Sequence, residues 1–158
     1  MILIGYPAIG KSTLSSKRID VIDLDSSVFC YNDKLRPNNW WEIYCNLAIY
    51  LSKQKYKVFI SPHFAVRGYM KYKQEVDPSL EVYTIIPSLE LKDEWVKKLK
   101  DRYNETHLEF YNNAIENYDD QIKRIINMLP NNTYTINNIN YDLSYIVSNI
   151  HELTKKEN

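Results

Sequence analysis

Residues 1–16 read MILIGYPAIGKSTLSS. Met1 to Ile4 form a short apolar run suited to a buried strand, and Thr13 to Ser16 can open a helix. Between them, Gly5 to Ser12 spell G-x-x-x-x-G-K-S, an uninterrupted phosphate-binding loop in the strand-before, helix-after context that such a loop needs. The chemistry requires that order. Glycines let backbone N–H groups curl around phosphate oxygens, and the helix N-terminus adds its positive dipole. Lys11 then reaches the outer phosphates, and the Ser12 hydroxyl ligates Mg²⁺.

Glycine usage sharpens the signal. The chain has 3 Gly, far below the ordinary rate of about 7%. Two of them, Gly5 and Gly10, fill the two obligatory motif positions. A chance match at average usage is roughly a one-in-several-hundred event for a chain of this size. The motif therefore predicts nucleoside triphosphate binding.

The rest of the composition narrows the class. A chain of 158 residues is expected to fold as one domain, 1–158. Lys+Arg 20 balances Asp+Glu 20, so there is no global basic field of the kind that holds nucleic acid or a membrane surface. No apolar run approaches the roughly 20 residues of a membrane span. With a first strand at Met1 leading directly into the phosphate loop, a signal peptide is not expected, and the isolated cysteines fit a reduced, cytoplasmic compartment. Cys30 and Cys45 stand alone, which points to neither a disulfide framework nor a zinc site. Richness in Asn, Lys, Ile and Tyr is what an AT-rich genome encodes.

Apolar segments alternate with amphipathic ones, which predicts βα units and a parallel sheet. Further strands are expected over 19–24, 57–61, 81–86 and 133–137. Helices are expected over 39–53, 66–74, 88–103 and 142–153, with a long helical region over 105–129 broken near 117–119. In a doubly wound sheet of this kind, ligands gather at the carboxyl ends of the strands. The polar residues just past each strand are therefore the candidates.

The second strand ends in Asp23-Leu24-Asp25. Residues two apart on a strand share a side, which would project both carboxylates toward the ligand. Asp23 would then hold the metal's water shell and Asp25 would orient or deprotonate an acceptor hydroxyl. The alternative is that Asp20, Asp23 and Asp25 solvate the strand and cap the Ser26-Ser27 turn. The third strand ends in Ser61-Pro62-His63, with Ser61 where a motor ATPase would carry Asp, which argues against that class. His63 would contact a substrate or cap the following helix. Arg36, Arg67 and Arg102 follow the second, third and fourth strands, the places where an acceptor phosphate clamp and a lid would be built. Trp40-Trp41, with Phe29 and Tyr31 upstream, would line an acceptor pocket or pack in the core. With 14 Tyr in the chain, no single tyrosine stands out.

The N-terminal phosphate loop, the D-x-D after strand two, an inserted helical segment and a later Lys/Arg-rich stretch (LKDEWVKKLKDR) together resemble the small P-loop kinases. These are the nucleoside monophosphate kinases and their shikimate- and gluconate-kinase relatives. The pattern VIDLDSS, W-E-x-Y, VFISPHFAVR is also similar to nucleotide-kinase-like proteins of phages and prophages in low-GC bacteria. The resemblance implies a three-layer α/β fold with a five-stranded parallel sheet of order 2-3-1-4-5. It also implies an acceptor-binding insert over about 26–56 and a helical lid over about 88–112.

By position, the resemblance implies ATP contacts at Gly5, Ile9, Gly10, Lys11, Ser12 and Thr13, and Mg²⁺ at Ser12 and Asp23. It places the acceptor at Asp25, Arg36, Trp40, His63 and Arg67. The catalytic set is then Lys11, Asp25, Arg67 and Arg102, with Lys98 helping Arg102 to close over the transferring phosphoryl group. The implied reaction is ATP- and Mg²⁺-dependent phosphoryl transfer to a nucleoside or deoxynucleoside monophosphate. The alternatives are another hydroxyl metabolite, a polynucleotide 5′ end, or a nucleotide-binding module without catalysis.

Overall fold

A computed structural model describes residues 1–29, 37–102, 112, 115–128 and 132–156. In chain order the elements are β1 (Ile2–Gly5), α1 (Lys11–Ser15), β2 (Val21–Asp23), α2 (Trp40–Lys53), β3 (Lys57–Ile60), α3 (Phe64–Val76), β4 (Val82–Pro87), α4 (Lys92–Arg102), α5 (Tyr118–Met128), β5 (Thr133–Ile136) and α6 (Leu143–Lys156). Short 3-10 turns at Ser26–Phe29 and Leu89–Leu91 follow β2 and β4. The five strands form one all-parallel sheet in the order β2-β3-β1-β4-β5 with helices around it, the α/β arrangement expected.

The chain packs as two compact units. One comprises Met1–Gly5 and Lys11–Thr84, the other Tyr6–Gly10 and Ile85–Asn158. In the first unit, β1 pairs with β3 in the register Ile2↔Val58, Leu3↔Phe59 and Ile4↔Ile60. All six of these side chains are fully buried, which is why both strands read as unbroken apolar runs. β2 pairs with the other edge of β3, Val21↔Lys57 through Asp23↔Phe59. It is shorter than the expected 19–24. Ile19 is exposed, and residues 19 and 20 form a turn closed by Val21 N to Arg18 O at 3.1 Å; the Asp20 carboxylate accepts from Arg18 Nη2 and Lys57 Nζ, both at 2.7 Å.

In the second unit, Ser88 N still donates to Ile136 O at 2.9 Å, so the chain stays in the sheet past the end of β4. That delays the expected helix at 88. A 3-10 turn comes first, and the α-helical stretch begins at Lys92. α5 starts at Tyr118, at the expected break. Its buried Tyr118 packs edge-on against Tyr6 at 6.0 Å and donates to Ser88 O at 3.0 Å. Leu143, Ile146, Val147 and Ile150 bury one face of α6. Among the described residues, no helix is long and apolar enough to cross a membrane.

Candidate functional site

The phosphate-loop motif divides between the two units, with Gly5, Lys11 and Ser12 in the first and Tyr6 to Gly10 in the second. β1 delivers the chain to Gly5, and Lys11 opens α1. The Lys11 ammonium folds back to donate to Gly5 O at 3.1 Å. A lysine so placed lies along the loop it would serve. Ser12, exposed, donates from Oγ to Asp23 Oδ2 at 2.6 Å. A hydroxyl and a carboxylate oxygen in contact form a hard oxygen pair that suits Mg²⁺, which takes one or two protein groups and completes its shell from water and phosphates. The residues present therefore fit that ion. α1 has only five residues, so its dipole is small.

The remaining loop residues are fixed by their backbone. Ala8 has φ 65° and Gly10 φ 92°. Alternation into the left-handed region is how successive amides are turned into an anion-binding concavity. A Cβ on Gly10 would meet only Leu143 Cδ2 at 3.8 Å, so torsion rather than space demands glycine there. Tyr6 and Ile9 are almost fully buried and act as side-chain anchors. Ile9, expected among the ATP contacts, can therefore contribute only through its backbone.

Two further residues hold this segment. Trp95 Nε1 donates to Pro7 O at 3.0 Å, and Tyr141 Oη donates to Ile9 O at 2.9 Å. Their rings stack at 5.9 Å with an interplanar angle of 19°. The Lys98 ammonium lies 4.6 Å from the Trp95 centroid and 4.7 Å from that of Tyr141, and donates to Tyr141 Oη at 3.2 Å. Burial lowers the Lys98 pKa and pushes that of Tyr141 up to about 12. Lys98, expected in a lid, is thus seated on the aromatic pair. Sequence reasoning missed both aromatics. The strand-end rule applied to β5 would have found Tyr141, which lies between that strand and α6, whose first amides are capped by Asp142 Oδ1.

At the end of β2 the two expected carboxylates separate. The strand stops at Asp23, so the alternation argument does not carry to Asp25. Asp25 instead accepts from Ser27 N at 2.8 Å and Ser27 Oγ at 2.7 Å, capping the 3-10 turn. Asp20 is held far below the usual carboxylate range, first by its hydrogen bond from Arg18 and then by that from Lys57.

Trp40 opens α2 and is buried in a cluster with Phe29, Tyr44 and His63, at centroid distances of 6.5, 5.7 and 5.3 Å. Tyr44 Oη ties two strand ends together, donating to Leu24 O at 2.7 Å and accepting from Ser61 N at 2.9 Å. His63 takes the N-cap position of α3 without a side-chain capping bond. Its Nε2 lies 3.3 Å from Ser26 Oγ. Arg67 is buried, with its guanidinium carbon 5.9 Å from the Phe64 ring centroid. Arg36 and residues 103–111 of the expected lid (about 88–112) lie outside the described residues, as does the side chain of Arg102 at the end of α4. No protein-family model, curated protein or solved structure matches this chain.

Proposed function

We propose that this chain binds ATP with Mg²⁺ on the Gly5–Ser12 loop and transfers the terminal phosphoryl group to a small acceptor, a nucleoside or deoxynucleoside monophosphate. The observation that carries the proposal is the pairing of Ser12 Oγ with Asp23 Oδ2 at 2.6 Å, in a motif whose lysine already lies along the loop at 3.1 Å from Gly5 O. Mg²⁺, when bound, would neutralise phosphate charge. The chain's own residues would do the positioning. Loop amides orient the phosphates, Lys11 exchanges a backbone carbonyl for a phosphate oxygen, and Asp23 holds the Ser12 hydroxyl in place. Asp25, His63 and Arg67 follow β2 and β3 and are the acceptor candidates.

A second reading, a nucleotide-binding module without transfer, is favoured by Asp25, whose two oxygens both accept from Ser27. One experiment separates these readings. The chain is titrated with MgATP by calorimetry and then incubated with MgATP and each nucleoside monophosphate while ADP is followed. Binding with turnover on one monophosphate is the expected result. Binding without turnover on any acceptor supports the module. Lys11→Ala should weaken MgATP binding by about 100-fold, on the scale of lost charge-assisted contacts to phosphate. Equal, negligible affinity in parent and variant would remove both readings.

A further inference from the structure

The loop carbonyls of Pro7 and Ile9 are not left to solvent. They are taken by Trp95 and Tyr141, and the described chain contains no cis peptide bond. In a trans peptide the carbonyl and the following N–H point in opposite directions. Fixing Pro7 O and Ile9 O on the aromatic pair therefore aims the N–H groups of Ala8 and Gly10 away from it. Those are the two loop residues with positive φ. The donor chain also has a direction: Lys98 Nζ–H donates to Tyr141 Oη, and Tyr141 O–H donates to Ile9 O. Consecutive hydrogen bonds polarise one another, and a cation at the head of the chain strengthens each later donor.

We propose that Trp95, Tyr141 and Lys98 are positioning residues for the phosphate ligand: the two aromatics set the direction of the Ala8 and Gly10 amides, and Lys98 polarises the Ile9–Gly10 peptide through Tyr141 so that the Gly10 N–H donates more strongly. This rests on the loop's binding a triphosphate, as proposed above. It assigns a function to two residues that lie far from the motif in sequence, and it takes Lys98 out of direct contact with the transferring group. Because the effect falls on phosphate, it should be indifferent to the base.

The test uses the three glycines, Gly5, Gly10 and Gly68, which give three amide signals when the chain is labelled with ¹⁵N-glycine. The parent, Tyr141→Phe, Lys98→Met and Lys98→Arg are titrated with MgATP and separately with magnesium tripolyphosphate. The expected result for Tyr141→Phe is a loss of about tenfold in affinity for both ligands. Its Gly10 signal should also move less at saturation, while Gly68 is unaffected. Lys98→Met should weaken both ligands about two- to threefold, and Lys98→Arg should restore them. A merely structural role would lower the melting temperature without changing the Gly10 displacement.

Tyr141→Phe and Lys98→Met proteins that both bind the two ligands as the parent does, with the full Gly10 displacement, overturn the inference and leave the triphosphate reading standing. A parent whose Gly10 signal responds to neither ligand overturns both. Should Tyr141→Phe fail to fold, the Lys98 pair decides by the same criteria.

Discussion

The two halves of the phosphate loop are built on opposite principles. Lys11 and Ser12 make contacts that a ligand can replace: a half-buried ammonium on a backbone carbonyl, and an exposed hydroxyl on a carboxylate. Pro7 and Ile9 are held by a fully buried indole and by a half-buried phenol that sits against it. Exchangeable contacts would suit groups that pass from protein to phosphate in the function proposed above. Fixed contacts suit backbone amides, whose value as anion donors lies in costing no reorganisation when the ligand arrives. The loop thus keeps its mobile chemistry in side chains and its rigid chemistry in peptide planes.

The largest effect expected from testing this contrast comes from the fixed half. Gly10→Ala places a Cβ at φ 92° with only an ordinary contact to Leu143. The strain should cost about 1–2 kcal/mol. For a chain of this length that lowers Tm by about 3–6 °C, and phosphate affinity should fall with it as the loop relaxes. Ala8→Gly makes the opposite change at φ 65° and should leave Tm within about 1–2 °C of the parent. Calorimetric melting of both variants checks the pair. Equal losses of Tm would show that packing rather than torsion governs the loop.

The exchangeable half should respond differently. Asp23→Asn keeps the shape beside Ser12 Oγ but removes the charge. Because Ser12 is exposed, stability should change by less than about 0.5 kcal/mol. The Mg²⁺ dependence of ATP binding should weaken by about tenfold. Calorimetry in a magnesium series measures it, and a Tm loss as large as that of Gly10→Ala would place Asp23 among the fixed contacts.

How much of this could be read from the chain follows from the same division. The apolar runs of β1 and β3 and the eight-residue motif are local patterns, and local patterns survive in sequence. The strand order agrees with that expected because βα alternation leaves few ways to wind a parallel sheet. Strand and helix ends shifted where other bonds competed. Val21 N turns back to Arg18 O, which puts residues 19 and 20 in a turn before β2, and Ser88 is kept in the sheet by Ile136. The bonds of Trp95 and Tyr141 were illegible because the two residues lie 88 and 132 residues from the carbonyls they hold. The strand-end rule sets Tyr141 apart from most other tyrosines by its place after β5, but only the fold brings its hydroxyl to Ile9 O.

Asp20 and Asp23 extend the comparison along a single stretch of chain. Asp20 accepts from Arg18 and Lys57, whereas Asp23 accepts from Ser12, the residue proposed above to meet the metal. Arg18, and secondarily Lys57, depress the Asp20 pKa in the folded state. A depressed carboxyl adds stability above its unfolded pKa of about 3.9 and loses that contribution as pH falls through the lower folded value. Asp20→Asn should therefore be less stable than the parent at pH 7, by the modest amount a half-exposed pair supports. The difference should shrink only below about pH 4. Urea melts of the two proteins at pH 7, 4 and 2.5 follow it. A gap that stays constant across that range would mean that Asp20 acts by shape and not by charge, and the distinction between the two aspartates would then rest on Asp23 alone.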